Sequence, residues 1–474
     1  MRAPIRFPGR RIDALTALGV AVAALLLRLP RLGDAFWQDE VASARILREP
    51  TPAGMLARVA RTESTPPLWY ALGWLVHHAG VPLADVRALS AVAGAALAGL
   101  VVIAARSFVP RAPAVLAGVL VAVGGEFAAA GSELRAYALL ALLAALFALA
   151  LDAAVRRPER RWAVALALVT AAGALTHYFF LLTVAAGAAW LWLEPNARPA
   201  RRRASVAIAA GLALASPWLP FALRQYRADR YGWIGPFDAR VVANTMFRLF
   251  TPLVHAEWVA AAFLVLIAAG ALRLARHSPR GRLCAALALG PLAAAALAWR
   301  LGLRVYAVRN LIEVGAFGAV CAAAAVSMLA PRARAAAAAA LAAAAVAGFV
   351  RDQAVPAAPY AGIAHTLVAE GWRPAEPVLV FGSPYAFRSP LEWYLPHDPR
   401  LAVVHPGRDA CRIVYVVAGR RATATVADDV LAARRVGRFL VGRVRLDDPL
   451  HGPRASLLAT PQARARCSAR AVAA

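Results

Sequence analysis

The chain has 474 residues, 61% of them hydrophobic and 17% charged, with a mean hydropathy of +0.59, which is too apolar for an ordinary soluble domain. Its 53 basic residues against 26 acidic ones give a formal charge of +27. All of them are arginine and they cluster between apolar runs, so membrane topology accounts for them better than nucleic-acid binding does.

Arg2, Arg6, Arg10 and Arg11 precede an apolar run over residues 12–29, which predicts a cytoplasmic N-terminus. With no small-residue cleavage site behind it, the run reads as a retained first helix rather than a signal peptide. The next stretch, 30–84, is polar and amphipathic and falls on the outer side. It carries Trp37-Gln38-Asp39-Glu40 and Thr65-Pro66-Pro67-Leu68-Trp69-Tyr70. Residues 66–80 read as a surface or re-entrant helix, because the apolar part is short and ends in His77-His78.

Apolar runs follow near 86–105, 112–130, 134–155, 162–176, 178–193, 204–222, 256–272, 283–299, 308–329 and 333–350. With the first they predict an all-α polytopic membrane protein of about eleven transmembrane helices. This count puts every arginine-rich short loop in the cytoplasm: Arg106/Arg111, Arg156 to Arg161, Arg198 to Arg203, Arg273 to Arg282, and Arg332/Arg334. It leaves Glu133, the turn Thr176-His177-Tyr178, the loop 224–255 and the turn 300–309 on the outer face.

After Val350 the pattern changes. Strands are predicted at 377–381, 413–417 and 439–445 and a helix over 424–436, so a small extracytoplasmic α/β domain over 352–474 follows the membrane domain of 1–351. Cys411 and Cys467 lie on the oxidising side and are candidates for a disulfide, whereas Cys284 and Cys321 fall inside helices as packing residues. No Cys or His spacing reads as a zinc site.

Asp39 and Glu40 stand about ten residues beyond the first helix, beside Phe36 and Trp37, which suit the membrane interface. Adjacent carboxylates at that depth need solvent, a cation or a metal, and a helix N-cap is the simplest alternative. Glu133-Leu134-Arg135-Ala136-Tyr137 brings a second carboxylate and a cation to the same level; taken alone, it reads better as a first-turn acid with a snorkelling arginine. His177 is either an interfacial anchor or a catalytic group. Arg304, Tyr306 and Arg309 sit at an outer helix end, where the positive-inside bias does not explain guanidinium groups. A bound anion such as a polyprenyl phosphate does, in competition with a pair to Glu313 or to lipid head groups. The segment 224–233 mixes arginine with tyrosine and tryptophan, which stack on sugars or lie on head groups.

In this order the motifs resemble the polytopic C-type glycosyltransferases, in particular the family of protein O-mannosyltransferases and the lipid A aminoarabinose transferase. The resemblance covers roughly residues 13–330 and rests on Trp37 to Glu40, Thr65 to Tyr70, Glu133 to Leu140 and Thr176 to Phe180. It implies a sugar donor linked to a polyprenyl monophosphate and inverting transfer on the outer face. Asp39 is then the general base that deprotonates an acceptor hydroxyl, with Glu40 positioning the acceptor or a neighbouring group. Arg309 or Arg304, with Tyr306 and with His177 as a cation, would hold the leaving phosphate. Glu133, Arg135, Tyr137 and Trp37 would face acceptor or sugar. Arg309 is followed by Asn310-Leu311-Ile312-Glu313, where the family often has an aromatic residue and a Leu-Leu-Pro run.

The sequence does not choose between mannose and another sugar, nor between a protein, a lipid and a glycan as acceptor. A metal, Mg2+ or Mn2+, fits carboxylates near a phosphate, although an adjacent Asp-Glu is no metal motif by itself. A transporter or an inactive scaffold of the same fold are the competing classes. Helix interiors of Ala, Leu and Val, with charges at their ends, disfavour the transporter.

Overall fold

The computed structural model describes residues 10–228, 234, 236–250, 257–303, 306–353, 360–369, 371, 378–381, 390–391, 393–395, 414–419, 432–436 and 439–444. The chain divides into two compact units: residues 1–33 with 44–352, and residues 34–43 with 353–474.

In chain order the helices begin with α1 (Arg10–Leu32), α2 (Gln38–Leu47), α3 (Pro52–Thr62), α4 (Leu68–His78), α5 (Ala88–Arg106) and α6 (Arg111–Val123). They continue with α7 (Gly125–Ala130), α8 (Tyr137–Arg156), α9 (Arg160–Thr176), α10 (Phe180–Leu193), α11 (Arg201–Ala215) and α12 (Leu219–Arg227). The set up to the second unit closes with α13 (Ala239–Phe250), α14 (Glu257–His277), α15 (Pro279–Arg300), α16 (Ile312–Val326) and α17 (Pro331–Gln353). Alanine and leucine dominate these stretches and are strong helix formers. Local signals set several ends. Thr51 caps α3 by accepting from the Gly54 amide at 3.1 Å, with Pro52 in the first turn, and Ser278 caps α15 through the Gly281 amide at 3.0 Å.

Among the described residues each apolar run of the sequence falls mainly on helix. Among the described residues seven stretches are long and apolar enough to cross a membrane: α1, α5, α8, the α11–α12 stretch, α15, α16 and α17. Of the other helices on those runs, α6, α9 and α10 have 13, 17 and 14 residues. The 11-residue α4 spans about 16 Å, half of the hydrocarbon thickness, so it is too short to cross. Burial separates centre from periphery: 94% of the α16 span is buried against 17% for α1 and 22% for α17. The small Ala and Gly residues of α16 let its neighbours approach closely.

Ion pairs gather alternate helix ends. Asp13 at the start of α1 accepts from Arg106 at the end of α5 (3.0 Å) and Arg111 at the start of α6 (3.1 Å). Asp152 near the end of α8 meets Arg156 and, from the start of α15, Arg280 at 2.9 Å. Glu194, just past α10, meets Arg282 at 2.6 Å. These helix ends therefore share one end of the bundle, the end with the arginine-rich turns. The starts of α5, α8, α10 and α16 and the ends of α1, α6, α9 and α15 lie at the other.

In the second unit, α18 (Tyr360–Ala369) accompanies four strands, β1 (Val378–Phe381), β2 (Val414–Gly419), β3 (Ala432–Val436) and β4 (Phe439–Val444), in the sheet order β1-β2-β4-β3. β1 and β2 are parallel, with Leu379 opposite Val416. β2–β4 and β3–β4 are antiparallel. Tyr360, Ile363, Leu367, Leu391 and Val441 form its core, with Trp37 and Tyr394 packed against it. The helix expected over 424–436 is corrected at its described end: Ala432–Val436 is a strand, with Val436 opposite Phe439. Pairing with the apolar β4 outweighs the helix preference of Ala and Arg there. Residues 424–431, Cys411 and Cys467 lie outside the described residues.

Candidate functional site

The end of the bundle opposite the arginine-rich turns holds a buried polar network. Glu63 terminates α3, its amide donating to the Val59 carbonyl. Two residues on, Thr65-Pro66-Pro67 turns the chain into α4, which carries Tyr70. The Tyr70 hydroxyl donates to Glu63 Oε2 at 2.8 Å and lies 3.2 Å from Thr65 Oγ1. Arg135, in the bend between α7 and α8, donates through Nη1 to Glu63 at 3.2 Å and to Tyr70 at 3.1 Å. Glu63, Thr65, Tyr70 and Arg135 are all buried. Burial, with Glu63 working against Arg135, holds the Tyr70 hydroxyl well above the usual phenol range, so it stays a donor.

Arg135 is placed from two further sides. Its carbonyl accepts from Ser90 Oγ of α5 at 3.0 Å. Upstream, Arg28 of α1 reaches the Phe127 carbonyl of α7 at 3.2 Å. A Cβ at Gly131 would stand 2.1 Å from Arg28 Nε, so only glycine lets that guanidinium pass behind the bend.

From Arg135 the contacts run to His177. The guanidinium carbon is 6.0 Å from the Tyr137 ring centroid, and Tyr137 is 5.5 Å from His177. The Phe179 amide donates to His177 Nδ1 at 3.3 Å, which puts the proton of a neutral ring on Nε2. Burial pushes the His177 pKa down to about 3, and the charges of Arg135 and Arg309 add to it. Burial thus disfavours the imidazolium that the resemblance implies, and a neutral ring with this tautomer offers Nε2–H as a donor.

Arg309 lies on one turn of 3-10 helix, Val308–Leu311, which leads into α16 and packs against α7 and α13. Glu126 of α7 accepts from Arg248 of α13 at 3.0 Å. The charge of Arg309 also acts on Glu126. Two guanidinium groups thus act on one carboxylate. A Cβ at Gly124 would stand 2.7 Å from the Leu249 carbonyl oxygen, so glycine is what lets α13 seat Arg248 beside α7. Tyr306 is buried and stacks on Trp299 with centroids 5.1 Å apart, and burial pushes its hydroxyl to about 12. The pair between Glu313 and an outer arginine is not formed among the described residues: Glu313 is fully buried in the first turn of α16 and neither carboxylate oxygen has a hydrogen-bond partner there. Arg304 lies outside the described residues, and Glu133 is half-buried in the bend before α8.

Asp39, Glu40 and Trp37 belong to the segment 34–43 of the second unit. The Trp37 amide donates to Glu40 Oε2 at 3.3 Å, so the buried Glu40 caps the start of α2 from its third position. Asp39 is half-buried in the same turn and its carbonyl accepts from Ser43 Oγ at 3.1 Å. Phe36 places this segment by donating its amide to the Tyr394 hydroxyl and by an edge contact with Trp393 at 6.1 Å.

The structure therefore brings Arg135, Tyr137 and His177 together, with Arg309 electrostatically coupled to His177. Glu63, Glu126 and Arg248 were not singled out in the sequence. Their signals are an acid just before Thr65-Pro66-Pro67, an acid interrupting the apolar run 112–130, and an arginine on an amphipathic stretch. Among the described residues no group of three or more His, Cys, Asp or Glu is arranged to hold a metal ion.

Comparison with known proteins defines the class. ArnT from Cupriavidus metallidurans in the apo state superposes over 94% of this chain and 98% of its own, with a TM-score of 0.56 at 14% identity. The same protein bound to undecaprenyl phosphate gives 0.53 at 13% identity, over 95% of this chain and 99% of its own. The Archaeoglobus fulgidus oligosaccharyltransferase in the apo form gives 0.54 at 13% identity, over 93% of this chain and 76% of its own. The fold is that of the polytopic C-type glycosyltransferases. Residues 64–221 match the family described as dolichyl-phosphate-mannose-protein mannosyltransferase, so the chain resembles the protein O-mannosyltransferase and aminoarabinose transferase group in both fold and sequence. No curated protein matches it in sequence.

Proposed function

We propose that this protein is an inverting membrane glycosyltransferase. It moves a sugar, mannose or a similar one, from a polyprenyl monophosphate to a hydroxyl group of a protein, lipid or glycan on the outer face of the plasma membrane. The observation that carries the reading is the pair Arg248 and Arg309 acting on one carboxylate, with Arg309 also acting on His177, on a fold shared with a protein that binds undecaprenyl phosphate. Guanidinium groups hold phosphate oxygens in bidentate fashion. A phosphate entering there takes the place of Glu126 as their counter-ion.

In this reading the N-terminus and the arginine-rich turns are cytoplasmic, about eleven helices cross the membrane, and the α/β unit lies outside. Asp39 takes the proton of the acceptor hydroxyl while its oxygen forms the new bond to the anomeric carbon. The bond from that carbon to the phosphate oxygen breaks on the opposite face. The electron pair leaves with the polyprenyl phosphate, whose charge Arg248 and Arg309 stabilise, with His177 Nε2–H as a neutral donor. Glu40 holds the turn that presents Asp39. Arg135, tied to Glu63 and Tyr70, keeps Tyr137 against His177, and Glu133, Tyr137 and Trp37 contact sugar or acceptor.

The test is a transfer assay on purified wild-type and Asp39→Asn protein, with radiolabelled polyprenyl-phosphate sugars and a crude envelope extract as acceptor. Product from the wild type and a loss of about 10²- to 10⁴-fold in the variant, at equal amounts of folded protein, support the reading. Full activity in Asp39→Asn overturns the base assignment. No product from the wild type with intact donors overturns the donor class.

A further inference from the structure

A second feature of the membrane unit lies at the end away from the site just described. A cavity opens among α5, α8, α15 and α16, lined by Leu100, Ala104, Ala145, Ala148, Leu283 and Phe317, with Asp152 and Arg280 also on its wall. Along α8 it extends from Ala145 to Asp152, about 10 Å of helix. Its depth is apolar, and its charged side chains belong to the arginine-rich end.

The charges there do not cancel. Asp152 is a single carboxylate that accepts from Arg156 Nε at 2.8 Å and from Arg280 Nε at 2.9 Å. Both arginine side chains remain about two-fifths exposed, 40% and 39%, while Asp152 is 12% exposed. Arg280 is on the cavity wall and Arg156, one turn beyond Asp152 on α8, meets the same acid from outside it, so two guanidinium groups stand against one acid at this end. An apolar slot with a net positive rim, at the end of a membrane-spanning bundle, matches the chemistry of an anionic amphiphile: chain inward, phosphate at the rim. A free phosphate would leave the slot unfilled, and a neutral lipid would leave the extra cation without a counter-charge. Walls too far apart to touch lose dispersion contact unless a chain lies between them.

We propose that this cavity binds one acyl chain of an anionic phospholipid, whose head-group phosphate rests on Arg280 and Arg156. The lipid bridges α8 and α15 at the end opposite the transfer chemistry, and its binding does not depend on what the protein transfers.

The experiment uses the full chain, delipidated in detergent and titrated with phosphatidylglycerol or phosphatidylcholine of identical acyl chains. Retained lipid is read by native mass spectrometry and stability by the thermal midpoint. Phosphatidylglycerol is expected to remain as one copy and to raise the midpoint by several degrees, as a ligand of the folded state alone does, with phosphatidylcholine at least threefold weaker. Ala148→Phe, or the milder Ala104→Leu should the first not fold, occupies the slot and abolishes retention. Arg280→Gln leaves Asp152 paired to Arg156 and removes the preference between the two lipids. Unchanged retention in the slot-filling variants, or equal binding of the two lipids by the wild type, overturns the proposal. So does displacement of phosphatidylglycerol by a C55 polyprenyl phosphate at equimolar concentration, which assigns the slot to the prenyl chain.

Discussion

The two ends of the helical bundle handle charge in opposite ways. At the arginine-rich end Asp13, Asp152 and Glu194 each meet one or two arginines whose side chains are, apart from Arg106, about two-fifths exposed. Solvent and lipid head groups share those charges, and such pairs tie helix ends together at small energetic consequence. At the other end Glu63 and Arg135 are 6% and 8% exposed, a phenol bonds both, and a threonine lies in hydrogen-bond range of that phenol. Burying an ion pair is expensive, and removing one partner is more so. The difference teaches where the molecule keeps polar groups for tethering and where it keeps them in fixed positions: a group that must hold a ligand in a low-dielectric setting needs neighbours that cannot reorient.

The largest expected effect comes from the buried pair. Glu63→Ala leaves the Arg135 guanidinium buried without its acid and should destabilise the protein by about 3–5 kcal/mol. Asp13→Ala at the other end should cost about 1 kcal/mol or less. Denaturation of both variants in one detergent checks the contrast, and equal losses would break it. Replacing both partners, as Glu63→Gln with Arg135→Met, should recover much of the stability while leaving Tyr137 less well placed against His177.

Next in size are the arginines. Arg309→Ala and Arg248→Ala should each weaken binding of a polyprenyl phosphate by about 10- to 100-fold, the worth of a charge-assisted hydrogen bond. Arg276→Ala, in an arginine-rich turn, should leave it unchanged. Binding isotherms with a C55 phosphate sort the two ends, and a similar loss from Arg276→Ala would make the effect one of net charge only.

The third test is a slope in pH. An unfolded histidine takes up its proton near pH 6.5, whereas His177 does so only near 3. Between those values the unfolded state binds the extra proton, so stability should fall as pH drops from about 6.5 towards about 3 and should not respond to His177 above that window. His177→Phe should flatten this part of the stability curve relative to the wild type. An identical slope in the variant would mean that other groups carry it.

The helices were legible in the sequence because lipid leaves a chain no other way to satisfy its backbone, and runs of Ala, Leu and Val announce that solution. Arg135, Tyr137 and His177 were legible for the same reason, as polar residues standing where apolar runs stop. What escaped was partnership. Glu63 reads as one more acid at a helix end, and nothing local says that it faces an arginine 72 positions later. Arg248 reads as one charge on an amphipathic stretch until Gly124 lets its helix close on α7. The stretch Ala432–Val436 reads as helix because its preference is local, whereas its strand exists through β4.

By itself the sequence determined that this chain is a polytopic helical membrane protein with its charges between the spans, since hydropathy and arginine placement act locally and one residue at a time. Only the tertiary structure decided which charges meet, that His177 is buried where the charged ring is disfavoured, that Glu40 caps its own helix, and that residues 34–43 pack with the C-terminal unit. Those properties depend on burial and on distances between residues far apart in the chain, and for His177 the loss of solvent outweighs the charges around it.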